Sequence, residues 1–177
     1  MKAKIFAILL IGQCFLVSSI HASLITFDDQ GLTGSSVFGG AAQPINITVD
    51  TITATFTGGV ILKNTTNLPA DQTALYGTAS FGNATYQTPL TVTFSQSITN
   101  FFLDVYNGNV EPIQYTVADN SGHSFSTILP THLNGGTTQV AFPSVGTKVT
   151  IQSALGASFP WDFFIDNITF TKPLPEN

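Results

Sequence analysis

Residues Leu90–Asp104 read LTVTFSQSITNFFLD. Leu90, Val92 and Phe94 alternate with Thr91 and Thr93, and Phe101, Leu103 and then Val105 share one side of the next run. A period of two puts successive side chains on opposite faces of a pleated strand, one face dry and one wet. Thr51–Phe56 repeats the pattern, with Ile52, Ala54 and Phe56 opposed to threonines. Val60–Lys63 follows the Gly58-Gly59 turn and reads as its hairpin partner. Further strands are expected at 24–28, 75–81, 113–117, 125–129, 138–142, 148–152 and 161–171, the last being the most apolar. Asn107-Gly108 and Asp119-Asn120-Ser121-Gly122 supply turn chemistry between them. About ten short strands at roughly 8 to 12 residue spacing predict an all-β fold, an antiparallel β-sandwich.

Composition agrees. The chain holds 25 threonines and 15 phenylalanines in 177 residues, so β-branched and aromatic side chains dominate over good helix formers. Residues 1–22, MKAKIFAILLIGQCFLVSSIHA, have a different character. Lys2 and Lys4 precede an apolar run that ends in small residues, the pattern of a signal peptide cleaved after Ala22. The run is too short to span a bilayer comfortably. The expectation is an exported protein starting near Ser23, secreted or periplasmic, with a β-sandwich over 23–171 and a flexible tail at 172–177. Pro173 and Pro175 in that tail would remove ladder donors from any central strand.

The only cysteine, Cys14, lies in the leader behind Gln13, so neither lipid attachment there nor a disulfide in the mature domain is expected. Lys63, Lys148 and Lys172 then face ten Asp and Glu with no Arg, a mature net charge of −7. That balance excludes nucleic acid, whose phosphates demand clustered cations, and disfavours anionic membranes.

Leu24–Asp29 (LITFDD) after the leader, Leu90–Asp104, Ile113–Ser124 (IQYTVADNSGHS) and Phe163–Phe170 (FFIDNITF) together resemble a known family. They are similar to the secreted jelly-roll domains of bacterial PEP-CTERM (exosortase-sorted) proteins, themselves similar to galactose-binding-like carbohydrate-binding modules. The resemblance implies first and last strands that run near each other in one sheet, a carbohydrate or cell-surface ligand, and often a structural calcium joining those strands. Sorted members end in Pro-Glu-Pro, a membrane helix and an Arg cluster. Here the chain ends Pro175-Glu176-Asn177, so a released protein without a membrane anchor is expected.

Asp166 is the notable carboxylate. Counted by twos it falls with Phe164, Ile168 and Phe170 on an apolar face, where an ionised group needs a partner. Three lysines are few for that purpose, and a hard cation with oxygen ligands is the alternative. The resemblance points to Ca²⁺ held by Asp28 or Asp29 with Asp166. A β-bulge at Asp166-Asn167 that turns the carboxylate to solvent, or an Asp capping backbone N–H groups, remains open.

Trp161, Tyr76, Tyr86 and Tyr106, with Phe159, are candidate stacking platforms for sugar rings, against the alternative that Trp161 plugs the core beside Phe163 and Phe164. Catalysis is not expected. His123 and His132 sit in turns, no Gly-x-Ser-x-Gly elbow occurs, and the two glutamates, Glu111 and Glu176, suggest no acid pair. Two readings from different classes follow, a non-catalytic glycan or cell-surface binding module and a structural or adhesive matrix protein working through threonine-rich sheet faces. A small secreted hydrolase ranks third.

Overall fold

The computed structural model describes residues 21–28, 44–63, 74–77, 89–131, 135–154 and 163–173. Among these residues twelve strands form: β1 (Ala22–Ile25), β2 (Ile45–Val49), β3 (Ile52–Thr57), β4 (Val60–Lys63), β5 (Ala74–Gly77), β6 (Leu90–Phe94), β7 (Ile98–Asn107), β8 (Ile113–Asp119), β9 (Ser124–Leu129), β10 (Thr137–Val145), β11 (Lys148–Ser153) and β12 (Phe163–Thr171). No helix of the described residues is long and apolar enough to cross a membrane.

The strands make two six-stranded antiparallel sheets. Sheet A runs β10-β7-β12-β5-β4, with β1 also on β12, and sheet B runs β2-β3-β6-β11-β8-β9. From β5 onward the chain winds as a jelly roll, alternating between β5-β12-β7-β10 in one sheet and β6-β11-β8-β9 in the other. The earlier strands extend this eight-stranded core: β4 beside β5, β1 beside β12, and the β2–β3 hairpin beside β6.

The inward side chains of both sheets form one apolar cluster, and aromatic contacts cross between the layers. Phe27 packs on Phe56 of sheet B and Tyr76 of sheet A, with ring centroids 5.1 and 5.6 Å away. Phe94 of sheet B meets Phe170 of sheet A at 5.4 Å, and Tyr115 meets Phe163 at 5.3 Å.

A polar side chain ties this end of the sandwich together. Asn107, at the close of β7, is fully buried. Its Nδ2 donates to the carbonyls of Glu111 at 2.9 Å and Pro130 at 2.8 Å. Its Oδ1 accepts from the Asn109 amide and the Tyr115 hydroxyl, both at 2.8 Å. The side chain thus ties the β7–β8 turn to the end of β9.

Among the described residues twelve strands form where about ten were expected, β1 ends at Ile25 and not at Asp28, and the strands depart from the sequence expectation in pairing as well. β3 and β4 are not hairpin partners, because β3 pairs with β2 and β6 while β4 pairs with β5 in the other sheet. Gly58, at φ 91°, and Gly59 carry the chain across the sandwich. A Cβ on Gly59 would lie 2.6 Å from the Gly77 carbonyl, and its amide donates to the Tyr76 hydroxyl at 3.0 Å. That close approach needs glycine. β2 was not anticipated, although Ile45, Ile47 and Val49 alternate with Asn46 and Thr48. Asp50 and Thr51 form its turn to β3 with φ of 49° and 70°, so Thr51 belongs to a primed-type turn and not to a strand.

Candidate functional site

The pairing of β7 with β12 is irregular at two points. Asp166 opposes Asp104 and Thr169 opposes Phe102, so β12 has gained one residue; Thr171 then opposes Thr99, so β7 has gained one in return. Each extra residue is marked by an asparagine in the left-handed region, Asn167 at φ 48° and Asn100 at φ 49°. Asparagine tolerates this conformation better than most side chains, and such bulges re-aim their neighbours.

The bulge at Asn167 changes the face of Asp166. Phe163 and Ile165 point into the sandwich and so do Ile168 and Phe170, whereas Phe164 joins an outer cluster with Leu75 and Tyr106. Asp166 shares the outer face with Phe164, so its expected alignment with Ile168 and Phe170 is corrected: alternation by twos does not survive an inserted residue. Nor does the bulge release the carboxylate to water. Asp166 has no solvent exposure, and neither carboxylate oxygen has a hydrogen-bond partner.

Three chain segments meet at this carboxylate. β1 lies along Ile168–Thr171 of β12, and β5 lies along Phe164–Ile165 on the same side, leaving Asp166 at the gap between them. Asp28 closes that gap, its Oδ1 accepting from the Ala74 amide at 2.7 Å. Asp104 stands opposite on β7. Burial pushes the Asp166 carboxyl up to about 7. The Asp28 and Asp104 carboxylates add to the rise, while the nearby backbone N–H groups of Asn167 and Phe27 offset part of it without reaching hydrogen-bond geometry. A buried carboxylate without a hydrogen-bond partner is the kind of group that a hard cation with oxygen ligands would stabilise. Among the described residues no group of three or more His, Cys, Asp or Glu side chains is gathered closely enough to hold a metal ion. Asp29, the third expected ligand, lies outside the described residues.

Above this node the outer face of sheet A carries an exposed aromatic ring. Phe102 keeps 38% of its surface in solvent, between the two bulges. Asp104, two residues along, accepts from Asn167 Nδ2 at 3.0 Å and from Gln139 Nε2 at 3.2 Å. One carboxylate and two primary amides are therefore linked in a polar array beside an apolar ring. Such groups engage the diols of a sugar while the ring meets its C–H face. Phe102, Gln139 and Asn167 were not among the expected ligand residues.

Two of the three tyrosines expected as platforms, Tyr76 and Tyr106, are buried and cannot serve. Tyr76 is fully buried in the core with its hydroxyl held by Gly59, and burial pushes its phenol up to about 12 despite that backbone contact. Tyr106 is 3% exposed, covered by Leu75 and Phe164. Tyr86, Trp161, Phe159 and His132 lie outside the described residues.

His123 meets a carboxylate and a hydroxyl, in the wrong order for a nucleophilic relay. Asp119 Oδ2 lies 3.0 Å from His123 Nδ1, and Ser121 Oγ lies 3.2 Å from that same nitrogen while also donating to Asp119 Oδ2. A triad needs the carboxylate and the hydroxyl on opposite ring nitrogens, with the imidazole between them. Here all three close the β8–β9 turn. Burial would raise Asp119, but the Ser121 hydroxyl, the His123 ring and the backbone amides of both outweigh it and hold the carboxyl near 2.

The outer face of sheet B is different again. Thr48, Thr53, Thr55, Thr57, Thr91 and Thr93 cover its β2-β3-β6 half, with Thr48 and Thr53 hydroxyls 2.9 Å apart and Thr55 donating to Asn46 at 2.8 Å.

No protein-family model and no curated protein matches the chain in sequence. Among solved structures it is similar to an exo-β-1,3-galactanase from Phanerochaete chrysosporium crystallised with galactose, at 19% identity and a TM-score of 0.36 over 73% of this chain and 29% of that one. It is also similar to the CBM22-1–GH10 modules of a Clostridium thermocellum xylanase 10B complexed with xylohexaose, at 10% identity and a TM-score of 0.37 over 76% of this chain and 27% of that one. The chain spans less than a third of either protein.

Proposed function

We propose that the protein is an exported, non-catalytic module that binds neutral glycan on the outer face of sheet A, around Phe102. One observation carries the reading: a half-exposed ring beside a hydrogen-bonded Asp104–Gln139–Asn167 array, on a face shaped by two asparagine bulges. The acidic chain, with a formal charge of −5, and the Asp104 carboxylate in the patch favour uncharged over acidic polymers. In this reading Asp166 and Asp28, with Asp29, hold a structural Ca²⁺ that braces the patch from its side. Residues 1–22 act as the leader that exports the chain, which works outside the cytoplasm.

The test is a screen of immobilised and soluble neutral glycans in calcium, followed by calorimetry on a binder. Phe102→Ala is expected to weaken binding at least about tenfold, roughly 1.4 kcal/mol, with its melting temperature held near that of the parent. The reading fails if no neutral glycan binds, or if Phe102→Ala binds as the parent does.

The threonine cover of sheet B favours a second reading, an adhesive matrix component working through that face. It predicts that Thr55→Val combined with Thr93→Val, and not Phe102→Ala, abolishes retention on insoluble polymer.

A further inference from the structure

We propose that two copies of the chain join edge to edge through β9, extending sheet B across a twofold axis. Among the described residues β9, SFSTIL, ends sheet B and pairs on one side only, with β8. Such an edge leaves a row of unpaired N–H and C=O groups, and natural proteins usually blunt it with Pro, Lys or a bulge. β9 has none of these: its six residues are uncharged, contain no Pro or Gly, and keep a regular register with β8. β10, an edge of sheet A, carries Pro143 within the strand. β2, the other edge of sheet B, is also uncharged, but its exposed side chains are Asn46 and Thr48. β9 instead exposes Phe125 at 37% and Ile128 at 67%, two of the five large apolar side chains that stand exposed among the described residues.

The phase of the ladder selects the partner. The Asp119 amide donates to the His123 carbonyl, so alternate residues Phe125, Thr127 and Leu129 turn their backbone groups toward β8. Ser124, Ser126 and Ile128 turn theirs outward. An antiparallel second copy with Ser126 opposite Ser126 places Ser124 opposite Ile128, so all three outward residues find partners at once. The same register sets Phe125 beside Thr127 of the second copy and covers both exposed apolar side chains. No charge on β9 opposes the approach, although each chain is acidic overall.

The contact is short, so the dimer is weak, with dissociation in the micromolar range or above for an interface under about 1,200 Å². Its twofold axis is normal to the sheets, so the outer faces of both A sheets point the same way. Two weak sites aimed together at one polymer gain effective concentration without any new contact.

Sedimentation equilibrium of the purified protein over a wide concentration range tests the proposal. A reversible dimer is expected, and Ile128→Lys should raise its dissociation constant at least tenfold while the far-ultraviolet circular dichroism stays unchanged. Ser126→Pro, which removes an outward N–H and none directed at β8, is expected to do the same. A parent that stays monomeric at millimolar concentration overturns the proposal. So does a dimer that neither substitution weakens. Glycan binding by a protein that remains monomeric would leave the Phe102 reading standing and remove only this one.

Discussion

Asp166→Asn is expected to raise the melting temperature in EDTA at pH 8 and to lower it in millimolar calcium. The carboxyl titrates near 7 in the folded chain against an ordinary value of 3.8, a rise of about three pH units. At about 1.4 kcal/mol per unit this amounts to a cost on the order of 4 kcal/mol for keeping the charge buried without a cation. A folded-state value above the unfolded one means that an acid favours folding when protonated. Its contribution is therefore whole below about pH 4, is lost as pH climbs from 4 to 7, and stays lost above. Metal-free parent protein should melt progressively lower across that window, and the asparagine variant should not. At pH 8 the variant gains roughly 5 °C or more, because the new amide also lacks ready partners while 1 kcal/mol is worth about 2–4 °C at this size. With calcium the order reverses, since the parent's carboxylate becomes a ligand and the variant cannot replace it. Differential scanning calorimetry of both proteins, with and without metal, reads all four values. An asparagine variant that melts below the parent in EDTA would contradict the uncompensated charge, and no response of the parent to calcium would remove the ion.

Asn107→Ala is expected to be the most damaging single substitution outside the apolar core, costing roughly 3–5 kcal/mol. The change removes the hydrogen bonds that Asn107 makes with the Tyr115 hydroxyl, the Asn109 amide and the Glu111 and Pro130 carbonyls. Tyr115 itself is buried and cannot turn to water. Each buried group that loses such a hydrogen bond costs about 1–3 kcal/mol, less where water can reach. Asn107→Asp should be nearly as harmful, because it replaces the donating amide by a charge facing carbonyls. Urea denaturation monitored by fluorescence would measure both. A loss under 1 kcal/mol for the alanine variant would mean that the β7–β8 turn is held by other contacts.

Much of the fold was legible because one wet and one dry face leave a plain trace. Leu90, Val92 and Phe94 are all buried as their alternation requires, and the Asp119–Gly122 turn joins β8 to β9 as its residues suggest. Pairing partners were less legible. Gly58-Gly59 looks the same whether the chain turns back in its own sheet or steps across to the other, and only the close pass against Gly77 decides it. Bulges were half legible. The one at Asp166-Asn167 is among the alternatives the sequence leaves open, but nothing in it tells that Asp166 moves to the outer face and stays buried, or that a second bulge follows at Asn100.

Phe102 was readable and overlooked. The alternation that sends Phe101 and Leu103 inward leaves Phe102 on the wet face, and an aromatic residue there is a stronger pointer to a ligand than tyrosines that the core can absorb. Gln139 and Asn167 could not have been found without register, since they reach Asp104 only across strand pairs.

The most direct test of the account is a nitrogen-edited NMR titration of the protein with soluble neutral oligosaccharides in calcium. The account predicts that the side-chain amides of Gln139 and Asn167 and the backbone around Phe102 shift together, while Thr55, Thr91 and Thr93 on sheet B stay still. Shifts confined to the threonine face, or none on either face, would contradict it.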